Sequence, residues 1–242
     1  MKQSIFIITI AIFLFSCSKE NNCFVSSGKT TSETIYLDPF SSIEVNDFMN
    51  VNWKESSEYK IEIEGGENFI PGMSYGITKD FLILENKNGC KFMRRNVDDI
   101  SVTVFCPFLD TLTVKGSGDI IFADTMKHNL WVNCIANQGT MNLKIDNNFT
   151  KFYLESGSND IHIVGATRYC NYYNAGIIHF YAKTFEVDSF RCHSRSKGIT
   201  EIKVNSWLHV EQNGDSDINY WGNPPVVNVT AYRGDGAIIK RN

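Results

Sequence analysis

The chain has 242 residues, of which 43% are hydrophobic and 13% aromatic, with only 5 prolines and 17 glycines. This composition can fill a hydrophobic core, which excludes intrinsic disorder and collagen-like repetition. The 23 Lys and Arg residues against 27 Asp and Glu give a formal net charge of -4 without a long basic run, so the sequence argues against nucleic-acid binding.

The first 16 residues are typical of a cleaved signal peptide, because Lys2 is followed by an apolar run, residues 5–15, and then by Ser16. The run is too short to cross about 30 Å of hydrocarbon comfortably as a helix, and no later segment approaches that length. The stretch Leu14–Cys17 resembles a bacterial lipobox, in which Cys17 becomes the first residue of the mature chain and carries the lipid. The alternative is an ordinary signal peptide cut near Ser16, with Cys17 unmodified.

Residues 17–34 are mostly polar, which predicts a flexible tether between a lipid on Cys17 and a folded body, residues 35–242. We therefore expect a protein that is anchored to the outer membrane through its N-terminal lipid. The sequence leaves open whether the body faces the cell surface or the periplasm.

Short alternations of apolar and polar residues begin at Ile43. Examples are Ile43–Val45, Val51–Trp53, Tyr59–Ile63 and Ser101–Val104. Alternation with a period of two predicts strands with one buried face. No segment of ten or more residues has a convincing helical pattern, so we expect an all-β protein with almost no helix apart from the signal peptide.

The second half of the chain repeats itself. Turn clusters separated by 16 to 22 residues, with a mean near 20, lie at Gly118, Gly139, Gly157, Gly176, Gly198, Gly214 and Gly236. Short strands flank these glycines, so that each repeat supplies two strands joined by a corner. Strands that advance by about 4.8 Å per turn wind into a parallel β-helix, which is a β-solenoid with a repeat of about 20 residues.

Glycine-rich corners also occur in nucleotide-binding loops, but those loops need a preceding strand and a following helix whose N-terminus meets the phosphate. Here each corner is followed by another strand. The positive φ that a sharp corner requires explains the glycines and the Asn and Asp residues beside them. The sequence therefore argues against nucleotide binding and predicts no cofactor.

Two segments near the C-terminus, Asp217–Val226 and Gly234–Ile238, resemble the closing signature of the putative auto-transporter adhesin, head GIN domain family, also called a domain of unknown function. Three further stretches resemble the same family, in the family's order: Phe40–Val45, Tyr59–Asn68 and Leu112–Ile120. The resemblance extends over roughly residues 36–240. It implies a right-handed β-helical fold, export or lipid anchoring as in the Bacteroidetes members, and no assigned catalytic residues.

The family's Gly-Ser-Gly corner is present at Gly116–Gly118 but altered at Asn137–Gly139, Asn174–Gly176 and Lys197–Gly198. This departure predicts less regular stacking of the middle coils. The word adhesin in the family's name favours a role in surface binding.

Six cysteines follow Cys17, and their spacings do not resemble a zinc-binding framework. The sequence leaves open the redox states of Cys23, Cys90, Cys106, Cys134, Cys170 and Cys192. Cys106 and Cys134 continue the inward positions of their strands, which predicts small core residues. Cys170 and Cys192 each lie six residues before a corner glycine, so they are candidates for a disulfide between neighbouring coils. The favoured interpretation, however, is that both are free buried thiols.

The histidines do not predict a metal site. His162 lies between inward residues and is expected to point outward, with His179 near it on the next coil and Asp160 as the nearby acidic residue. A metal would need at least one further ligand, so we interpret these residues as solvent-facing strand positions.

Carboxylates recur at corner positions, where Asp serves turn geometry: Asp119, Asp160, Asp215 and Asp217. Glycoside hydrolysis would need two carboxylates flanking a groove. We nominate no catalytic residue and expect a protein that is not an enzyme. The alternative is a carbohydrate-active β-helix enzyme, either a lyase or a hydrolase.

Several aromatic side chains are candidates for stacking on sugars or anchoring a protein partner: Trp53, Trp131, Tyr153, Tyr173, Tyr181, Trp207 and Trp221. Alternation places Trp131 and Trp207 outside, and with Tyr153 and Tyr181 they are the chosen candidates for ligand contact. The sequence thus predicts a non-catalytic, adhesin-like binding module whose partner is a glycan or a matrix protein.

A third hypothesis is a structural spacer or a self-associating envelope protein. The final coil, near Ala237–Ile239, is an uncapped edge that invites pairing with a second copy, which would give a homo-oligomer. Lys240 and Arg241 favour the opposite, a protected edge.

Overall fold

The computed structural model describes residues 26–89 and 100–242. These residues form 17 strands of one sheet, and their only helical element is a 3-10 turn at Ile70–Gly72. The strands are β1 (Thr30–Tyr36), β2 (Ser42–Asn46), β3 (Asn50–Glu55), β4 (Lys60–Gly66), β5 (Met73–Thr78), β6 (Phe81–Asn86), β7 (Ser101–Cys106), β8 (Thr111–Val114), β9 (Ile120–Phe122), β10 (Leu130–Cys134), β11 (Asn137–Leu154), β12 (Gly157–Asn174), β13 (His179–Ser194), β14 (Thr200–Gln212), β15 (Ile218–Trp221), β16 (Val226–Tyr232) and β17 (Ile238–Lys240). The predicted all-β architecture is confirmed.

The strands stack coil on coil because neighbouring parallel strands pair along the solenoid. β11 and β12 pair in a constant 20-residue register, from Asn137 opposite Gly157 to Leu154 opposite Asn174. From β12 to β17, partners on neighbouring coils lie 17 to 20 residues apart. The predicted β-solenoid with a repeat of about 20 residues is therefore confirmed.

The middle coils do stack less regularly, with register shifts at His162–Val164, Ala182–Glu186 and Val187–Ser189, but these shifts lie within strands and not at the altered corners. Buried side chains hold two of the three altered corners from inside: at the first of them, Asn174 Oδ1 accepts a hydrogen bond from the Gly176 amide at 3.0 Å. Ser196 Oγ accepts one from the Gly198 amide at 2.8 Å and donates to the Gly176 carbonyl at 2.9 Å. A polar side chain thus replaces the Gly-Ser-Gly sequence, and the largest register shift lies elsewhere, between Ala182 and Glu186 of β13.

Each coil places one strand on either side of the solenoid. The first face is formed by β2, β6, β8, β10, β16 and the later halves of β11 to β14. The second face is formed by β3, β7, β9, β15, β17 and the earlier halves of β11 to β14.

Inward residues in register form continuous stacks between the two faces. One stack consists of Val132, Phe152, Tyr172, Cys192 and Val210, all fully buried. Burying a large aliphatic or aromatic side chain is worth roughly 1.5–3 kcal/mol, so the core stabilises the solenoid along its whole length.

Three of the seven predicted corner glycines, Gly118, Gly139 and Gly157, have the positive φ that the sequence predicted, whereas the other four do not. Gly118 and Gly139 both have a φ of +131°, which L side chains rarely adopt. A Cβ on Gly139 would lie 2.3 Å from the carbonyl oxygen of Gly118 on the preceding coil. Only glycine lets the corners of these coils approach so closely.

The two ends of the solenoid differ. At one end the chain does not stack in sequence order, since the β2–β3 coil lies between the β6–β7 coil and the β8–β9 coil. The antiparallel strands β1, β4 and β5 cover this end, which we call the closed end. At the other end, β16 and β17 pair with β14 and β15 and with no further described strand. We call it the open end.

Candidate functional site

The outward positions of the first face form the candidate site. Side chains alternate along each strand, so outward residues in register on successive coils line up in columns with a spacing of about 4.8 Å. Trp131, Tyr153 and Trp207, three of the four predicted ligand-contact residues, lie on this face. Tyr181 lies on the second face, so the structure does not bring all four together.

A patch of rings lies on the first face, distributed over three of its columns. We call it the aromatic face and define it as Trp131, Phe149, Tyr153, Tyr169, Tyr173 and Trp207. Tyr153 and Tyr173 stack with centroids 4.9 Å apart and an interplanar angle of 14°. Phe149 and Tyr169 stack at 5.8 Å and 5°. The constant register of β11 and β12 holds both pairs in place.

The two tryptophans mark the ends of the aromatic face. Trp131 is 49% exposed, and Nζ of Lys151 lies 4.9 Å from its ring centroid, within cation–π distance. Trp207 lies nearer the open end and stacks on His209 at 5.4 Å and 15°. A cation and an imidazole thus accompany the rings.

A charged cluster borders the aromatic face on the side of the open end. The carboxylate of Glu211 lies 3.4 Å from Arg191 Nη2, 3.5 Å from His193 Nδ1 and 3.5 Å from His209 Nε2. Burial alone would raise the pKa of Glu211, but hydrogen bonds from Arg191 and His209 and the charge of His193 hold that pKa below its ordinary value. Glu211 is therefore an ion-paired carboxylate.

Tyr181 belongs to a separate aromatic group on the second face. Its ring stacks on His162 at 4.8 Å and on His179 at 6.0 Å, and it lines an open depression with Thr140 and Asp160. The outward orientation expected for His162 is confirmed. Within residues 26–89 and 100–242, no group of three or more His, Cys, Asp or Glu residues is arranged to hold a metal ion.

Trp53 is wrong as a candidate for ligand contact. It is 2% exposed, its ring lies 5.1 Å from that of Phe122, and its Nε1 donates a hydrogen bond to Cys106 Sγ at 3.3 Å. The alternation of its strand places it on the inward side, with Val51. Trp221 lies on the second face, with Lys183 Nζ 4.6 Å from its ring centroid.

Two corner carboxylates link neighbouring coils. Asp119 Oδ1 accepts a hydrogen bond from the Thr140 amide at 2.9 Å. Asp217 Oδ1 accepts one from the Ala237 amide at 2.8 Å. The structural role predicted for these two residues is confirmed.

The described cysteines are free thiols. Cys106 and Cys134 are fully buried, as predicted, and burial raises the pKa of each thiol to about 12. Burial also raises the pKa of Cys170 and of Cys192. None of the four is poised as a thiolate nucleophile. Cys23 and Cys90 lie outside the described residues.

Cys170 and Cys192 are free thiols and do not form the disulfide that the sequence left possible. Cys170 lies opposite Phe190, whereas Cys192 lies two positions further along the ladder. The prediction aligned Gly176 with Gly198, but these glycines are not equivalent. A Cβ on Gly198 would meet the backbone of Ile178, so the two corners differ by two residues.

The described chain begins at the closed end. Asn68 Nδ2 donates a hydrogen bond to the Ser26 carbonyl at 3.0 Å, and β1 begins at Thr30, within the segment expected as tether. The signal peptide and Cys17 lie outside the described residues, so lipidation stays a prediction. No helix of the described part is long and apolar enough to cross a membrane.

Sequence patterns alone did not single out Phe149, Tyr169 or the charged cluster. They could have been found by comparing outward residues that lie 20 positions apart in the sequence, because this spacing aligns Phe149 with Tyr169 and Tyr153 with Tyr173. The glycine spacings vary too much to provide that register.

Among solved structures, the chain is similar to a putative adhesin from Bacteroides fragilis, with a TM-score of 0.76 and 18% identity over 88% of this chain and 97% of the other. A putative adhesin from Parabacteroides distasonis gives 0.60 and 16%, covering 87% and 98%. One from Parabacteroides merdae gives 0.56 and 20%, covering 90% and 98%. These similarities show a shared fold. A search of the curated proteins finds no match.

The family itself is shown by a sequence match. The profile described as putative auto-transporter adhesin, head GIN domain, matches residues 39–224, which is more than half of the chain. The matched region runs from β2 to β15 and includes the whole aromatic face. The family is described as an adhesin rather than an enzyme. The chain therefore belongs to the putative auto-transporter adhesin, head GIN domain family.

Proposed function

We propose that this protein is a non-catalytic binding module of the cell envelope, anchored to the outer membrane by a lipid on Cys17, and that its aromatic face binds a glycan. The family's description as an adhesin supports a binding role. The observation that carries the choice of surface is the two in-register ring stacks, Phe149 on Tyr169 and Tyr153 on Tyr173, on the face that also holds Trp131 and Trp207.

The chemistry of the aromatic face suits carbohydrate. Sugar rings have apolar C–H faces that pack on aromatic rings, while their hydroxyl groups need hydrogen-bond partners. The stacked pair Tyr153 and Tyr173 offers the rings, and the outward amides of Asn133 and Asn171 lie on the same columns and beside them. Because columns repeat this chemistry on successive coils, a chain of similar sugar units can contact several coils at once.

Three carboxylates with structural partners support a role without catalysis. Asp119 and Asp217 hold the backbone of the next coil. Glu211 is bound by Arg191 and two histidines. Each of these acidic groups already has a structural partner, which accounts for its presence without a reaction.

The test of ligand class is a panel of glycans and matrix proteins, with the double variant Trp131→Ala and Tyr153→Ala. Both side chains are exposed, so their loss leaves the core intact. We expect wild type to bind glycans and the double variant to bind at least tenfold more weakly, since one hot-spot ring contributes more than about 1 kcal/mol. Tyr181→Ala, on the second face, is the matched control and should bind as wild type.

Three results would overturn this assignment. They are glycan binding that the double variant retains, binding confined to matrix proteins, and release of reducing ends or unsaturated sugars from a bound glycan, which would indicate an enzyme.

Anchoring is tested separately in intact cells. We expect Cys17→Ser to abolish incorporation of labelled fatty acid and to release the protein from the membrane fraction. Protease treatment of intact cells then distinguishes the cell surface from the periplasm. Unchanged lipid labelling of the variant would refute the anchor at Cys17.

A further inference from the structure

The last coil exposes side chains that every preceding coil buries. Leu208 and Val210 of β14 point inward and are fully buried. Val227 and Val229 of β16 are in register with them and have the same inward orientation, but they are 41% and 48% exposed. No described coil covers them. The open end therefore presents the cross-section of the core to solvent.

The free edge of β16 carries one of the usual protections, an irregularity at Thr230 in its ladder with β14, but it lacks the others. Natural edge strands carry charges, prolines or bulges that prevent pairing with another chain. The sequence of β16, Val226–Tyr232, contains no charged residue and no proline. Its one ladder runs to β14, so its other edge pairs with no described strand.

The two basic residues expected to protect the edge face another way. Lys240 Nζ donates a hydrogen bond to Asn223 Oδ1 at 2.7 Å. Arg241 Nε donates one to Asn219 Oδ1 at 2.8 Å. Both side chains reach back to the segment before β16, so their charges leave the apolar end uncovered.

The opposite end of the molecule is where the chain enters. Ser26 packs at the closed end, so the segment that leads to Cys17 joins the body there. The strand β1 at this end is polar and exposed along most of its length. The open end is thus the tip furthest from the N-terminal attachment.

We propose that the open end binds the open end of a second copy of this chain, with two-fold symmetry. An axis perpendicular to both faces maps each face onto itself and reverses strand direction. β16 then pairs antiparallel with its counterpart at the same time as β17 pairs with its own, which gives a closed, self-complementary interface. Full overlap of the seven residues of β16 places Val229 opposite Val229 of the other copy.

The same arrangement buries Val227 and Val229 between two final coils and continues the core from one copy into the other. It also places the two closed ends at the far ends of the dimer. If each copy is anchored through its N-terminus as proposed above, the two anchors point away from each other. This arrangement suits a contact between two opposed membrane surfaces. The inference stands independently of the glycan site, because the aromatic face lies on the side of the solenoid.

The experiment is sedimentation velocity over a wide range of concentration, with the chain from residue 18 onward, which holds every described residue and the whole core. We expect a reversible monomer–dimer equilibrium for wild type. Val229→Lys puts a charge into the apolar contact, so we expect it to weaken dimerisation at least tenfold. Val164→Lys is the matched control, because Val164 is 46% exposed on β12, away from both ends. It should dimerise as wild type.

A monomer at all concentrations would overturn the proposal, as would dimerisation that survives Val229→Lys or that Val164→Lys weakens equally. The symmetry is tested by cross-linking, with glutathione disulfide as oxidant, in a background in which Cys23 and Cys90 are replaced by Ser. Val229→Cys should give a covalent dimer that dithiothreitol separates. Val164→Cys should not, and equal cross-linking of the two variants would contradict the two-fold pairing.

Discussion

Both ends of this solenoid have a terminal coil whose core residues need to be covered, and the closed and open ends differ in whether further strands cover them. At the closed end, the antiparallel strand β4 pairs with β7, its own residues Ile61 and Ile63 are buried, and so is Phe69 just after it. At the open end no described strand covers the last coil, and Val227 and Val229 are half-exposed. The contrast shows that parallel stacking always leaves an unpaired edge on the terminal coil. That edge is covered only where the chain contributes additional strands.

The largest expected difference between the ends concerns buried volume. Ile61→Ala removes a fully buried side chain at the closed end and should lower the free energy of unfolding by about 2–5 kcal/mol. Val227→Ala removes a half-exposed one, so we expect a loss below about 1 kcal/mol. Urea denaturation at concentrations where the protein is monomeric measures both. Equal losses would mean that the open end is as well covered as the closed one.

A second contrast concerns backbone approach. A Cβ on Gly234 in the last coil would lie 1.8 Å from the Gly214 carbonyl oxygen, whereas one on Gly76 of β5 would meet no atom within 4 Å. We expect Gly234→Ala to cost roughly 1–3 kcal/mol and Gly76→Ala to stay within about 0.5 kcal/mol of wild type. Hydrogen exchange should show faster exchange of β16 and β17 amides in the first variant. Unaltered exchange there would contradict the close contact of the last two coils.

Single hydrogen bonds at the two ends offer a smaller, local test. Asp217→Ala removes the acceptor for the Ala237 amide, and Glu67→Ala removes the acceptor for the Lys29 amide, which lies 3.2 Å from Glu67 Oε1. Each should cost about 1 kcal/mol or less. Hydrogen exchange should localise the first effect to β17 and the second to β1. Effects that spread along the whole solenoid would indicate that the ends do not open independently.

The smallest expected effect is electrostatic and depends on pH. Because the pKa of Glu211 is lowered in the folded state, its carboxylate stabilises the fold above the unfolded pKa of about 4.3, and this contribution disappears as the pH falls through the folded pKa. We expect Glu211→Gln to be less stable than wild type by less than about 1 kcal/mol at pH 7 and equally stable well below pH 4.

Glu44, towards the closed end, provides the comparison for Glu211. Burial alone would raise the pKa of Glu44, but the hydrogen bonds from Lys115 and Asn46 outweigh burial and hold that pKa below its ordinary value. Glu44→Gln should therefore show the same pH dependence. A loss that persists at low pH in either variant would point to packing rather than charge.

The solenoid was predictable because its physics is periodic. Alternation identifies strands such as Ser101–Cys106, and a corner that needs positive φ selects glycine at positions such as Gly118 and Gly139. Both signals are local in sequence and repeat on every coil, so a short stretch is enough to reveal them.

The parts that sequence reasoning missed depend on which strands pair. Alternation says that β2 and β6 are strands but not that they are neighbours, so the insertion of the β2–β3 coil between later coils was not predicted. The same limit applies to the candidate site, because alternation does not say which face of the solenoid an outward residue occupies. Tyr153 and Tyr181 both point outward, but only the register of β11 to β13 separates them onto different faces.

The insertion of the β2–β3 coil has a consequence for how the chain folds as it emerges from its N-terminus. Ser42–Glu55 must wait for partners on both sides, first β6 and β7 and then β8 and β9, which end at Phe122. Such long loop closures are slow because the chain loses conformational entropy before the stabilising contacts between the strands can form. Later coils can add one at a time onto a finished template. We therefore expect nucleation at the closed end to be the rate-limiting step, followed by rapid growth towards the tip.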